Sequence, residues 1–277
     1  MTKRLKTWAR PKESSITNYR TRIALILPIS YAPATRNNHP RTSGQKLCID
    51  FVQYWIVSVE LPREGGVAVN HPFMPHTELD IIFKKRKFER PLLPRQIAQR
   101  IPFASAKIKE IFEMLSMKPE VENVKIVTET ISLCEAPSIR GVEKNCATSL
   151  ESMVDFITSK LGKNAQVIST EVEKVSKSEK FLVKDGGKIL AEENIIVCHP
   201  MNYPYVVFYC HKISNITVRF MPLEGEDGSR VKAVAVCHKD TSEWDPNHGF
   251  LQALKVKPRT VPVCHILPEG DLLWFAK

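Results

Sequence analysis

Two periods divide the apolar positions of this chain. Ser105 opens a stretch in which Ile108, Ile111, Phe112 and Leu115 share one helical face. A second stripe follows at Leu150, Met153, Val154, Ile157 and Leu161. Thr148 and Glu151 match a capping box ahead of it, and Gly162 stands where a C-terminal cap belongs. Beyond Gly162 the apolar residues gather into short runs rich in Val, Ile, Tyr and Phe. Strands are expected at 166–172, 180–184, 194–199, 203–212, 217–223, 231–239, 251–256 and 260–267. Asp185-Gly186-Gly187, Gly225-Glu226-Asp227-Gly228 and Pro258 punctuate them. Helices first and short strands afterwards give an α+β class: two or more helices, then an antiparallel strand-rich sandwich or barrel.

The first third of the chain reads differently. Residues 1–48 lack a sustained apolar period and read as a basic, disordered N-terminal arm. Residues 49–78 form a poorly defined linker region, although Phe51 to Leu61 is apolar enough for a strand. The organised domain is expected over 79–277. Charge follows the same division. The arm holds ten Lys/Arg and one acid, Glu13, whereas the other residues carry 30 basic and 29 acidic groups. Nine of the net ten positive charges therefore belong to the arm. It reads as a solvated or targeting segment, with no nucleic-acid partner expected. Its Arg-rich, acid-poor character resembles an organelle transit segment, and no secretory signal pattern is visible in it. Phe83-Lys84-Lys85-Arg86-Lys87 reads as a solvated strand edge. No run reaches the roughly 18 apolar residues of a membrane span. Walker, Rossmann, nucleophile-elbow and HExxH patterns are absent from the sequence, so those enzyme classes have no footing in it.

Cysteine changes the picture most. Of the seven, Cys134, Cys146, Cys198, Cys210, Cys237 and Cys264 lie in the domain, an even number that suits three disulfides and an oxidising compartment. Cys134 and Cys146 are expected to pair across a short loop, and Cys48 is left over. The other four are each followed by histidine: Cys198-His199, Cys210-His211, Cys237-His238 and Cys264-His265. Ten residues separate the first two dipeptides, and twenty-five separate each later step. Neighbouring side chains on a strand point to opposite faces. Cysteine then goes to one side and histidine to the other, which disfavours a mixed Cys/His zinc site. The four cysteines can make two disulfides in any of three pairings. The four histidines can converge on a metal or a polar pocket, and an all-imidazole set suits copper or zinc. Trp244-Asp245-Pro246-Asn247-His248 reads as a turn carrying an aromatic ring and a fifth imidazole. Asn215-Ile216-Thr217 is an acceptor sequence for N-glycosylation at Asn215 in a secreted chain.

This spacing resembles the signature of the plant BURP-domain family. Supporting segments are Leu93-Pro94-Arg95 with Ile101-Pro102-Phe103, Cys146-Ala147-Thr148-Ser149-Leu150-Glu151-Ser152-Met153, Tyr203-Pro204-Tyr205, Val231 through His238, and Val261-Pro262-Val263-Cys264-His265. The resemblance is to the dehydration-responsive and seed-protein-like branch. It implies an extracellular, cell-wall or vacuolar location and a role in stress, seed or wall biology, for a non-enzymatic protein. It also implies structural roles for Cys198, Cys210, Cys237 and Cys264. Metal-binding roles fall on His199, His211, His238 and His265, with His248 at a family position. Some members are copper-dependent cyclases that crosslink Tyr or Trp side chains of a peptide. This chain has no repeated core-peptide segments, so that activity would fall on a separate precursor. A third implied role is that of a polygalacturonase-associated wall subunit. Cell-wall polysaccharide or a peptide substrate is the partner class in these readings.

Overall fold

The structure is a computed structural model that describes residues 73–83, 90–138, 142–174 and 176–277. The N-terminal arm, Cys48, the 51–61 strand candidate and the basic run at 84–87 lie outside the described residues.

Helices come first. α1 (Arg95–Ala98), a 3-10 turn (Ser105–Lys107), α2 (Ile108–Met114) and α3 (Val121–Glu135) precede β2 (Lys144–Ala147) and α4 (Leu150–Leu161). A short β1 (Glu78–Asp80) stands ahead of them. α4 forms as its stripe predicts, with Met153 and Ile157 buried and Gly162 closing it at φ 79°. Its cap sits one residue later than the Thr148–Glu151 reading. Ser149 is the N-cap; its hydroxyl accepts from the Ser152 amide, and the Ser152 hydroxyl accepts from the Ser149 amide, both at 3.1 Å. A short serine at the third helical position does what Glu151 was expected to do. α3 has no clean stripe in the sequence. Val121 is 86% exposed, and the buried face mixes Val127 and Ile131 with Thr130, whose hydroxyl donates to the Asn202 carbonyl at 2.7 Å.

The remaining strands are β3 (Gln166–Ile168), β4 (Glu171–Val172), β5 (Lys180–Val183), β6 (Lys188–Ala191), β7 (Ile195–Pro200), β8 (Phe208–Ile213), β9 (Ile216–Gly225), β10 (Arg230–His238), β11 (Val263–Ile266) and β12 (Leu272–Phe275). They build two antiparallel sheets. One runs β1-β5-β9-β10-β11, with β4 beside β10 and β6 beside β9; the other runs β2-β8-β7-β12-β3. The expected strand at 166–172 is divided between them: β3 pairs with β12 in the second sheet, and β4 pairs with β10 in the first. Thr170, fully buried between, accepts the Val234 amide at 3.1 Å and so ties the crossing to the first sheet.

The sheets face each other through one apolar layer. Ile195, Val197 and Leu273 from the second sheet meet Ile216, Val218, Val234 and Val236 from the first. Met153 and Ile157 of α4 pack against the outer side of the second sheet, on Ile196, Phe208 and Trp274. α2 and α3 cover Tyr203, Tyr205 and Val207.

Two strand expectations change. Residues 203–207 are a buried loop, held by the Arg90 guanidinium donating to the carbonyls of Met201 and Tyr203, so β8 begins only at Phe208. Residues 251–256 are not a strand. α5 (Gly249–Leu254) occupies that stretch, because the His248 ring accepts the Phe250 amide as an N-cap and Lys255 ends the helix at φ 54°. Leu251 and Leu254, three apart, form its apolar side. Among the described residues no helix is long and apolar enough to cross a membrane.

Candidate metal centre

Each Cys-His dipeptide lies within a regular strand, toward the end of β7 and β10 and in the middle of β8 and β11. β7 and β8 are hydrogen-bonded neighbours, and their register puts Cys198 directly opposite Cys210. β10 and β11 are likewise neighbours, with Cys237 opposite Cys264. Both pairs are disulfide-bonded, as are Cys134 of α3 and Cys146 of β2. Strand adjacency thus decides among the three pairings open to the four dipeptide cysteines.

The pleat then sets the histidines. Val197 and His199 share a face of β7, and Val236 and His238 share a face of β10. Because Val197 and Val236 belong to the layer between the sheets, His199 and His238 continue that layer at its end. His211 and His265 stand diagonally across from them on the partner strands. The His199 and His211 Nε2 atoms are 3.2 Å apart, and those of His238 and His265 are 3.4 Å apart. Both ring pairs are stacked. The disulfides lie on the opposite faces, Cys198–Cys210 against α4 and Cys237–Cys264 in the outer core of the first sheet.

The two pairs also sense each other. Burial, and after it the neighbouring His199 and His265, hold the His211 imidazole down to about 3. His238 is held well below its ordinary value by burial, then by His265, His211 and His248. Burial brings His265 to about 4, with His199 adding to the effect. His211, His238 and His265 are therefore neutral at ordinary pH, the protonation state in which imidazole donates to a metal.

The surroundings differ between the pairs. His199 Nδ1 lies 2.9 Å from Oδ2 of Asp271, a side chain 1% exposed. Tyr209 lies beside His211, with ring centres 5.5 Å apart. On the other side Trp244 packs edge-on against His238 at 4.8 Å and tilted over His248 at 4.2 Å, while Phe250 stacks on His265 at 4.8 Å. His248 uses Nδ1 as its helix cap, so its neutral form carries the proton on Nε2. Burial lowers it to about 4 against an opposing pull from Asp245. Asp271, Tyr209 and Phe250 escaped the sequence reading. Glu269-Gly270-Asp271 looks like an ordinary turn, and no spacing rule connects it to His199.

The donor set suits a transition metal. Metal–nitrogen bonds of about 2.0–2.1 Å at tetrahedral angles put neighbouring nitrogens about 3.3 Å apart, close to the separation within each pair. Among the described residues no group of three or more His, Cys, Asp or Glu side chains is arranged to hold an ion; the imidazoles stand two by two.

The model of the BURP domain matches residues 69–276. The chain belongs to the BURP-domain family. BURP domain protein RD22 of Arabidopsis thaliana is 50% identical over 187 residues, covering 66% of this chain and 48% of its own length. BURP domain protein USPL1 of the same plant is 35% identical over 213 residues, covering 73% of this chain and 76% of that protein. Polygalacturonase-1 non-catalytic subunit beta of Solanum lycopersicum is 36% identical over 208 residues, covering 73% of this chain and 32% of its own. This BURP-domain chain thus spans about half the length of RD22 and about a third of the tomato subunit.

Proposed function

We propose that this chain is a non-enzymatic BURP-domain protein of the plant cell wall or another extracellular or vacuolar compartment, and that its paired imidazoles bind copper. The observation that carries the metal reading is the facing of Nε2 atoms in two pairs at the end of the inter-sheet layer. Three disulfides suit an oxidising compartment, and similarity to a non-catalytic polygalacturonase subunit supports a wall role. His199, His211, His238 and His265 would hold the ion, with His248 beside them. A role in stress or seed biology follows from the same family likeness, as does glycosylation at the exposed Asn215.

The test is elemental analysis of the full chain purified from a plant secretory host, with the wall fraction assayed alongside. Copper retained by the wild type and lost in the His199→Ala/His265→Ala double variant is the expected result. A copper-free wild type that also ignores added cupric ion ends the metal reading. Binding to pectin, or to a polygalacturonase, distinguishes the wall-subunit role.

A second reading is a copper-dependent cyclase that crosslinks Tyr or Trp of a separate peptide. It is favoured by the position of all four histidines short of full burial. Bound copper, reoxidised by dioxygen, would supply the two one-electron oxidations that such a crosslink requires. The chain's part would be to hold the ion at the sandwich end and to seat an aromatic side chain near Trp244 or Tyr209. Loss of two hydrogen atoms from an added Tyr- or Trp-bearing peptide, read by mass spectrometry, supports this reading; an unchanged peptide mass excludes it.

A further inference from the structure

His199 is the one member of the four whose far nitrogen meets a buried carboxylate. Asp271 is 0% exposed, and its Oδ2 receives His199 Nδ1 at 2.9 Å. Its other oxygen, Oδ1, is buried without a hydrogen-bond partner. Leaving a carboxylate oxygen in that state costs free energy, so the position of Asp271 has to be held by the surrounding fold. The chain supplies the means locally. Gly270 adopts φ 100°, and the Asp271 amide returns to the Pro268 carbonyl at 3.3 Å. This tight turn brings Asp271 back to the sheet one residue before β12, on the face of Leu273, which register places opposite Val197. Asp271 is thereby directed at the ring that continues Val197 along β7.

A carboxylate accepts hydrogen bonds and cannot donate them. Neutral His199 must therefore carry its proton on Nδ1, and its lone pair is left on Nε2. That lone pair points at His211 Nε2, 3.2 Å away. Without a metal, His211 satisfies it by donating its own Nε2 proton. The other pair meets no carboxylate in this way: His265 has a hydrogen bond with the Ile266 backbone, and His238 and His265 contact Trp244, Phe250 and each other.

We propose that Asp271 is a positioning residue that fixes the tautomer and rotamer of His199. His199–His211 is then the half of the metal site oriented by a carboxylate. The inference rests on the metal reading proposed above, but its first consequence can be read without metal. Carboxylates that orient ligand histidines typically change metal affinity 10–100-fold when replaced.

The experiment uses the full chain in two arms. In the first, the histidine nitrogens of the metal-free wild type are observed by long-range proton–nitrogen NMR. The expected result is a neutral His199 protonated on Nδ1; protonation on Nε2 overturns the proposal. In the second, cupric ion is titrated against a competing chromophoric chelator into wild type and Asp271→Asn. The amide can present its NH2 to Nδ1 and reverse the tautomer, putting a proton where the metal must bind. A 10–100-fold loss of affinity is expected, and an affinity within threefold of wild type overturns the proposal. Should Asp271→Asn fail to fold, the wild-type tautomer decides alone. A wild type that binds no cupric ion removes the metal reading, and the NMR arm still decides whether Asp271 orients His199.

Discussion

The β7–β8 and β10–β11 strand pairs carry the same two-residue message and put it to different use. Each has a Cys-His dipeptide on both strands, a disulfide between directly opposite cysteines, and Nε2 atoms facing at 3.2 or 3.4 Å. Around the first pair stand a buried carboxylate and a tyrosine. Around the second stand a tryptophan, a phenylalanine and a helix-capping histidine. Identical local sequence thus produces identical local geometry, because pleat and register are backbone properties. The chemistry of each imidazole comes from what the rest of the chain brings against it.

Acid should separate the pairs with the largest effect. His211, His238 and His265 are held neutral by burial, so the unfolded chain takes up protons first as pH falls below about 6.5. Their contribution is present above that value and is lost progressively toward about 4 and below. Between pH 7 and pH 5 the linkage is about 2 kcal/mol for each, so at most about 6 kcal/mol for the three. Denaturant titrations of the metal-free chain at both pH values check this. His238→Gln with His265→Gln should remove about two thirds of the acid loss, and His211→Gln about one third. Equal stability at pH 7 and pH 5 would refute the burial argument for both pairs.

The disulfides provide the next contrast. Removing either by a double Cys→Ala change should cost about 3 kcal/mol by the chain-entropy estimate, slightly more for the longer Cys237–Cys264 loop. Their accessibility differs more than their energies. Cys198 and Cys210 are 0% exposed, whereas Cys237 is only partly buried. A mild reductant followed by thiol labelling and mass mapping should open Cys237–Cys264 first. The reverse order would show that burial does not govern these bonds.

Trp244→Ala tests the aromatic cover of the second pair. Loss of a partly buried indole should cost about 2 kcal/mol and let water reach His238 and His248, raising both toward the ordinary value. The His211 titration should stay in place, and NMR titration of the ring protons reads all three. The smallest effect belongs to the cap of α5. His248→Ala should cost about 1 kcal/mol by leaving the Phe250 amide without its acceptor, and His248→Asn should recover most of it.

Much of this could be read along the chain because it is local. The period-two argument placed cysteine and histidine on opposite faces, and the stripe from Leu150 to Leu161 located α4 within a residue of its cap. Where the reading failed, a histidine cap, a tertiary contact or the shortness of a strand was responsible. Leu251 to Val256 is a short, partly apolar run that passes for a strand until His248 caps it as a helix. Tyr203 to Val207 looks like the start of β8 until α2, α3 and Arg90 bury it as a loop. The short β6 and β12 carry too few residues for any period to show.

The sequence by itself determined the family, the class of fold, the even set of cysteines and the splitting of every dipeptide between two faces. All of these follow from residue identity and the fixed pleat of a strand. Only the tertiary structure decided that β7 lies beside β8 and β10 beside β11, which selected one disulfide pairing from three. It alone brought the histidine faces of two sheets to the end of one apolar layer and turned Asp271 toward His199. Strand order is set by which apolar faces can be buried together. Val197, Leu273, Val218 and Val236 meet across the sheets, and the imidazoles are carried along with them.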